Sequence, residues 1–215
     1  MNNYKFDCSR RKLINLPDIP PNTIFINCSK NLISVLNNLP FNLLYLDCSN
    51  NLMTSLDNLP QTLTYLNCSD NFFYSLDNLP SGLKFLICSI NKLTTLDHLP
   101  KHLVKLKCNQ NEIESLDNLP YYLTDLLCFK NCLFQLDFLP ENILELNCSS
   151  NKIKSLDDLP DSLKILNCYD NNISNLDCLP LGLRYLECSY NNIDTINYLP
   201  KSLYFLNCSF HVIDY

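Results

Sequence analysis

Alanine is absent from this chain of 215 residues, and glycine occurs only at Gly82 and Gly182. Asn, Ile, Tyr, Phe and Lys are abundant instead, the bias of an AT-rich coding sequence that avoids GC-rich codons. Histidine is nearly as scarce, with three examples at His98, His102 and His211. No Ser/His/Asp set, phosphate-cradling loop or paired-carboxylate cleft stands out, so no enzyme is expected and no cofactor is implied. Positive charge is also in short supply. The net charge is −6, and phosphate contacts need a basic face, so a nucleic-acid partner is not expected. The one dense basic run, Arg10, Arg11 and Lys12 with Lys30, reads as a solvated end of the molecule. A run of about 18 apolar residues is missing, which excludes a membrane-spanning helix, and the opening MNNYKFDCSR has no apolar signal segment. An intracellular, reducing setting follows, with all 13 cysteines expected as free thiols.

What the chain has is period. Cysteine recurs every 20 residues at positions 8, 28, 48, 68, 88, 108, 128, 148, 168, 188 and 208, without insertion or deletion. Aligned on these cysteines, the units read x-x-L-x-x-L-x-C-S-x-N-x-I-x-x-L-D-x-L-P, as in FNLLYLDCSNNLMTSLDNLP over residues 41–60. Ten of the 12 prolines close a unit. The block LxxLxCxxNx[LI] resembles the leucine-rich repeat signature, with cysteine at the third strand position. The short unit with its LxxLP ending is most similar to repeats of bacterial effectors and of giant amoebal viruses. The resemblance covers essentially the whole chain. It implies one domain over residues 1–215, with an atypical first unit (1–20) and a truncated last unit (201–215).

The spacing of Leu63, Leu66 and Cys68 lets a short strand and its entry turn point side chains inward. Nothing in the unit is long or periodic enough for a helix, and the closing Leu-Pro disfavours one. One unit cannot bury its own apolar set, but stacked units can. The expected fold is therefore a repeat solenoid, mostly β. About 11 short parallel strands would line the concave side of a curved rod roughly 50 Å long, with extended, turn or 3₁₀ structure on the convex side.

Several columns run along such a rod. The cysteines form a buried ladder of small hydrophobes. Zinc does not suit them, because four rungs would span roughly 14 Å, and no metal site is assigned. Neighbouring rungs lie within disulfide range, although the expected compartment argues against oxidation. Cys132 and Cys178 fall outside the ladder. By the family resemblance, asparagines 31 to 191 form a second ladder that hydrogen-bonds backbone groups of adjacent turns. The aspartates at 57, 77, 97, 117, 137, 157 and 177 stack like charges, with Asn37 and Asn197 beyond them. Each carboxylate is expected to accept a backbone N–H in an Asx-type turn, and a calcium-binding strip is the sharper alternative. His98 and His102 read as surface residues. Asn-Cys-Ser sequons beginning at Asn27, Asn67, Asn147 and Asn207 read as by-products of the repeat.

Function in a solenoid belongs where units differ, on the strand face. The residue before the second strand leucine is Phe25, Tyr45, Tyr65, Phe85, Lys105, Asp125, Glu145, Ile165, Tyr185 and Phe205 in successive units. The residue after that leucine is mostly Asn or Asp, interrupted by Ile87, Lys107 and Leu127. Phe129 and Tyr169 add bulk where most units have Ser. Aromatics beside charge are the composition of interface anchors. The expected function is a non-enzymatic protein–protein interaction scaffold. Its partner would meet the concave face at Phe25, Tyr45, Tyr65, Phe85, Lys105, Lys107, Asp125, Leu127, Glu145, Tyr185 and Phe205. The alternatives are an adaptor that recruits a host ubiquitin ligase and a calcium-binding or self-assembling structural solenoid. The ending FHVIDY carries no capping sequence, which leads to an expectation of weak self-association through that end.

Overall fold

The structure, a computed structural model, describes residues 4–209. The expected self-association through FHVIDY therefore concerns a segment outside the described residues. Eleven strands follow one another: β1 (Tyr4–Asp7), β2 (Thr23–Asn27), β3 (Tyr45–Asp47), β4 (Tyr65–Asn67), β5 (Phe85–Ile87) and β6 (Lys105–Lys107), then β7 (Asp125–Leu127), β8 (Glu145–Asn147), β9 (Ile165–Asn167), β10 (Tyr185–Glu187) and β11 (Phe205–Asn207). They form one sheet in strict chain order. All pairs are parallel with a 20-residue register, as in Leu86 opposite Leu106. The first pair alone is irregular, since Tyr4 lies opposite Thr23 but Lys5 opposite Phe25. No helix of the described residues is long and apolar enough to cross a membrane.

The core repeats with the sequence. In the unit over residues 41–60, Leu43, Leu46, Cys48 and Met53 are fully buried, and Leu56 and Leu59 nearly so. Phe73 fills the place that Met53 and Leu93 hold in adjacent turns and is equally buried. Each closing proline begins a β-turn, its carbonyl accepting the N–H three residues on, as in Leu63 to Pro60 at 3.1 Å.

Two places in the unit turn left-handed. The second residue after the cysteine has a positive φ in ten successive units, from Arg10 to Tyr190. A second such residue lies just before Leu-Pro, at Asn38, Asn58, Asn78, His98, Asn118 and Phe138. Asparagine tolerates this region better than other non-glycine residues, which accounts for its frequency in Leu-Asp-Asn-Leu-Pro in a chain with almost no glycine.

The return side is built of turns, and the described residues contain no 3₁₀ helix. Its backbone groups bond to the adjacent turns instead. The Leu52 N–H reaches the Ile33 carbonyl at 2.9 Å, and the Asn51 N–H reaches the Asp70 carbonyl at 3.1 Å. With partners supplied by the neighbours, internal helical bonds are unnecessary. The expectation of 13 free thiols is also corrected. Cys188 and Cys208 are joined, their Cα atoms 5.0 Å apart, a separation within bridging range. The other 11 cysteines are free.

Candidate interaction face

The asparagine ladder holds the strand face in place. Asn51 donates to the carbonyls of Cys28 and Cys48, each at 3.1 Å, and accepts the Ile33 N–H at 3.0 Å. The same set recurs at Asn71, Asn111 and Asn171. Each amide thus ties two turns together and satisfies buried backbone groups on both. Beneath it the cysteines are sealed. Burial pushes the Cys68, Cys108 and Cys148 thiols up to about 12, so none is available as a thiolate at neutral pH.

The register aligns the first variable column into a single row on the sheet. Phe25, Tyr45, Tyr65, Phe85, Lys105, Asp125, Glu145, Ile165, Tyr185 and Phe205 are direct neighbours in that order. Phe25 stacks on Tyr45 with ring centroids 4.2 Å apart, and Tyr45 on Tyr65 at 4.1 Å. Tyr65 and Phe85 are tilted and 6.4 Å apart. At the other arm Tyr185 stacks on Phe205 at 4.3 Å. Burial among stacked neighbours, with help from Tyr65, raises the Tyr45 hydroxyl above the usual phenol range. Lys5, which the sequence reading did not single out, lies 5.3 Å from the Phe25 ring centroid and extends the row.

Charge occupies the middle. Lys105 donates to Asp125 at 2.7 Å, and this hydrogen bond, reinforced by the charges of Asp125 and Glu145, raises the Lys105 ammonium. In the second row Lys107 is flanked by Ile87 and Leu127. Lys107 makes no ion pair among the described residues. Beside the face, Tyr169 lies 5.1 Å from Tyr190.

The second row has a structural job that sequence reasoning missed. Asn27 accepts both the N–H and the hydroxyl of Ser29, at 3.1 and 2.7 Å. Asp47, Asn147 and Glu187 do the same for Ser49, Ser149 and Ser189. These bonds close the turn that leaves each strand. The signal was present in the Asn-Cys-Ser triplets, which are a turn acceptor, a ladder thiol and a turn donor in succession.

The aspartate column differs from expectation. Its carboxylates are not Asx-turn acceptors of backbone N–H groups. Ser55 and Ser75 donate their hydroxyls to Asp57 and Asp77, each at 2.8 Å. In other units the aspartate's own N–H donates backwards, as from Asp117 to Ser115 and from Asp177 to Asn175. The side chain two residues earlier thus donates to the carboxylate in two units and accepts the aspartate N–H in others. Among the described residues, no group of three His, Cys, Asp or Glu side chains is arranged to hold a metal ion. His98 lies 3.8 Å from Asp77, both well exposed, and His102 stacks on Tyr122. Shallow acidic clefts open between corner loops, one lined by Asp137, Phe138, Glu141, Asp157 and Asp161. Cys178 is exposed. Its hydrogen bond to Asp157 and the nearby carboxylates raise its thiol above the ordinary range.

No protein-family model matches the chain, and no curated protein does. Solved structures do. YopM from Yersinia enterocolitica is 36% identical with a TM-score of 0.88, over 94% of this chain and 46% of that one. InlJ from Listeria monocytogenes, whose functional domain includes a cysteine ladder, is 28% identical with a TM-score of 0.67, over 87% of this chain and 49% of that one. YopM from Yersinia pestis, a leucine-rich effector protein, is 27% identical with a TM-score of 0.60, over 92% of this chain and 75% of that one. The chain thus spans about half the length of the first two. With its 20-residue units, its parallel sheet in chain order and its cysteine and asparagine ladders, the chain is a leucine-rich repeat protein.

Proposed function

We propose that the protein is a non-enzymatic interaction scaffold whose sheet face takes a partner protein. The observation that carries this reading is the row from Phe25 to Phe205, in which stacked aromatics on both arms enclose Lys105, Asp125 and Glu145. Tyrosine and phenylalanine present large contact area at little conformational cost, and the central charges fix orientation. Phe85, Ile165 and Phe205 remain 36%, 37% and 38% exposed, which leaves apolar surface for a partner to cover.

The test is affinity capture from lysates of source or host cells with three immobilised proteins. They are the natural chain, Tyr45→Ala/Tyr65→Ala/Lys105→Glu/Tyr185→Ala, and a control altered on the return side, Tyr74→Ala/Phe134→Ala. All three should give the same far-UV spectrum. A protein captured by the natural chain and the control but lost with the face variant is the expected result. The same captures from the face variant would overturn the reading.

A further inference from the structure

We propose that Lys107, with Ile87 and Leu127 on either side, anchors an acidic side chain that a partner's exposed segment presents between apolar residues. This rests on the sheet face being the binding surface and names the chemistry of its centre.

The argument begins with the turn that follows each strand. In eight strands the second-row residue accepts the N–H two residues on, from Asp7 and Asn27 at one end to Glu187 and Asn207 at the other. The three exceptions are consecutive and central: Ile87, Lys107 and Leu127. None has a side-chain acceptor, so β5, β6 and β7 give up a stabilising bond that the other units keep. Ser89 turns away to Asn109 and to the Lys107 carbonyl, at 2.7 and 3.3 Å. A contiguous loss of a local stabilising device, with no compensating bond from these side chains, is what a binding site produces.

The chemistry of the three residues then specifies the occupant. Parallel strands lie about 4.8 Å apart, so the Lys107 stem runs between two aliphatic side chains at that distance. Lys107 makes no ion pair among the described residues, whereas Asp125 is matched by Lys105 at 2.7 Å. In its own row, then, Lys107 is an unmatched positive charge between apolar neighbours, while Glu145 in the adjacent row is an unmatched negative one among the described residues. A carboxylate set between apolar side chains complements Lys107 and its neighbours. A phosphate backbone fits less well, because a chain of net charge −6 with Asp125 and Glu145 in the adjacent row repels a polyanion.

The experiment is selection of random 12-residue peptides, displayed on phage, against the immobilised natural protein, Lys107→Glu and Lys107→Gln. Selected peptides are then titrated by fluorescence anisotropy. Lys107 is exposed, so both variants should keep the natural far-UV spectrum. The natural protein should select Asp or Glu next to Leu, Ile, Val or Phe. Those peptides should bind Lys107→Glu at least about tenfold more weakly, with Lys107→Gln between, and Lys107→Glu should itself select Lys or Arg. Selected peptides without acidic enrichment, or with equal affinity for Lys107→Glu, would overturn the anchor. If those same peptides still lost binding to Tyr45→Ala/Tyr65→Ala, the face reading would survive it. Selection of nothing by the natural protein would overturn both. A fluorescent single-stranded thymidine 20-mer run alongside should not bind. Binding of that strand, lost in Lys107→Glu, would transfer the site to nucleic acid and overturn the proposal.

Discussion

The side-chain amide of Asn111 lies 3.1 Å from the carbonyl of Cys88, a residue in the preceding turn. It also reaches the Cys108 carbonyl at 2.9 Å and accepts the Leu93 N–H at 3.0 Å. One side chain therefore satisfies buried backbone groups on two turns. Asn111→Ala leaves all three without that partner, and a loss of about 3 kcal/mol is expected in urea unfolding. Asn111→Asp keeps the acceptor but loses both donors and buries a charge, so it should cost more.

The buried ladder predicts alkaline lability. The folded Cys68, Cys108 and Cys148 thiols hold their protons up to about 12, whereas an unfolded thiol ionises near 8.5. Between these values the unfolded chain binds fewer protons, so stability falls as pH rises. Below about pH 8 the thiols should have no effect. Above pH 9, each ladder thiol should remove about 1.4 kcal/mol per pH unit. Urea midpoints measured from pH 7 to 11 under a reductant check this, and a flat profile would contradict it.

Thiol accessibility follows the same geometry. Neutral iodoacetamide should label Cys178 first and Cys132 more slowly, leaving the fully buried rungs unlabelled until the chain unfolds. Because the bond to Asp157 holds the Cys178 proton, Asp157→Asn should accelerate labelling at pH 7.5. Peptide mapping by mass spectrometry reads both results.

Left-handed backbone at unsuited residues is a reserve of stability. Ile90 has a φ of 56° and is β-branched, a combination that costs energy and that asparagine relieves. Ile90→Asn should stabilise by about 1 kcal/mol and Phe138→Asn, at a φ of 60°, by a similar amount. Asn118→Val, the reverse change, should destabilise by about 1–2 kcal/mol. Thermal melts of the three variants are sufficient.

Most of the fold was legible because each physical requirement occurs many times. Cys48, Leu46 and Asn51 look ordinary alone, but in phase over the whole chain they leave no other arrangement able to bury them. The row from Phe25 to Phe205 was legible for the same reason, since strand register follows from the period. What escaped was local. The Asp57 carboxylate meets the Ser55 hydroxyl rather than a backbone N–H, a local choice of partner that the repeat pattern does not encode. The acceptor role of Asn27 was written in Ser29, yet it makes sense only when the exit turn is seen. The Cys188–Cys208 bridge was permitted by rung distance, which weighed less in the sequence than the expected compartment.

Strict chain order in the sheet has a consequence for how such a protein changes over generations. Every turn touches only the turn before and the turn after, so the removal of one whole unit leaves two turns that still fit. Excising residues 145–164 would seat Ile165 beside Asp125 and let the same ladders run on. Length is then a quantity that recombination between repeated segments alters in single steps, and each step shifts the aromatic arms relative to the charged centre by one strand. The surface is revised by copying and deleting rather than by substitution alone.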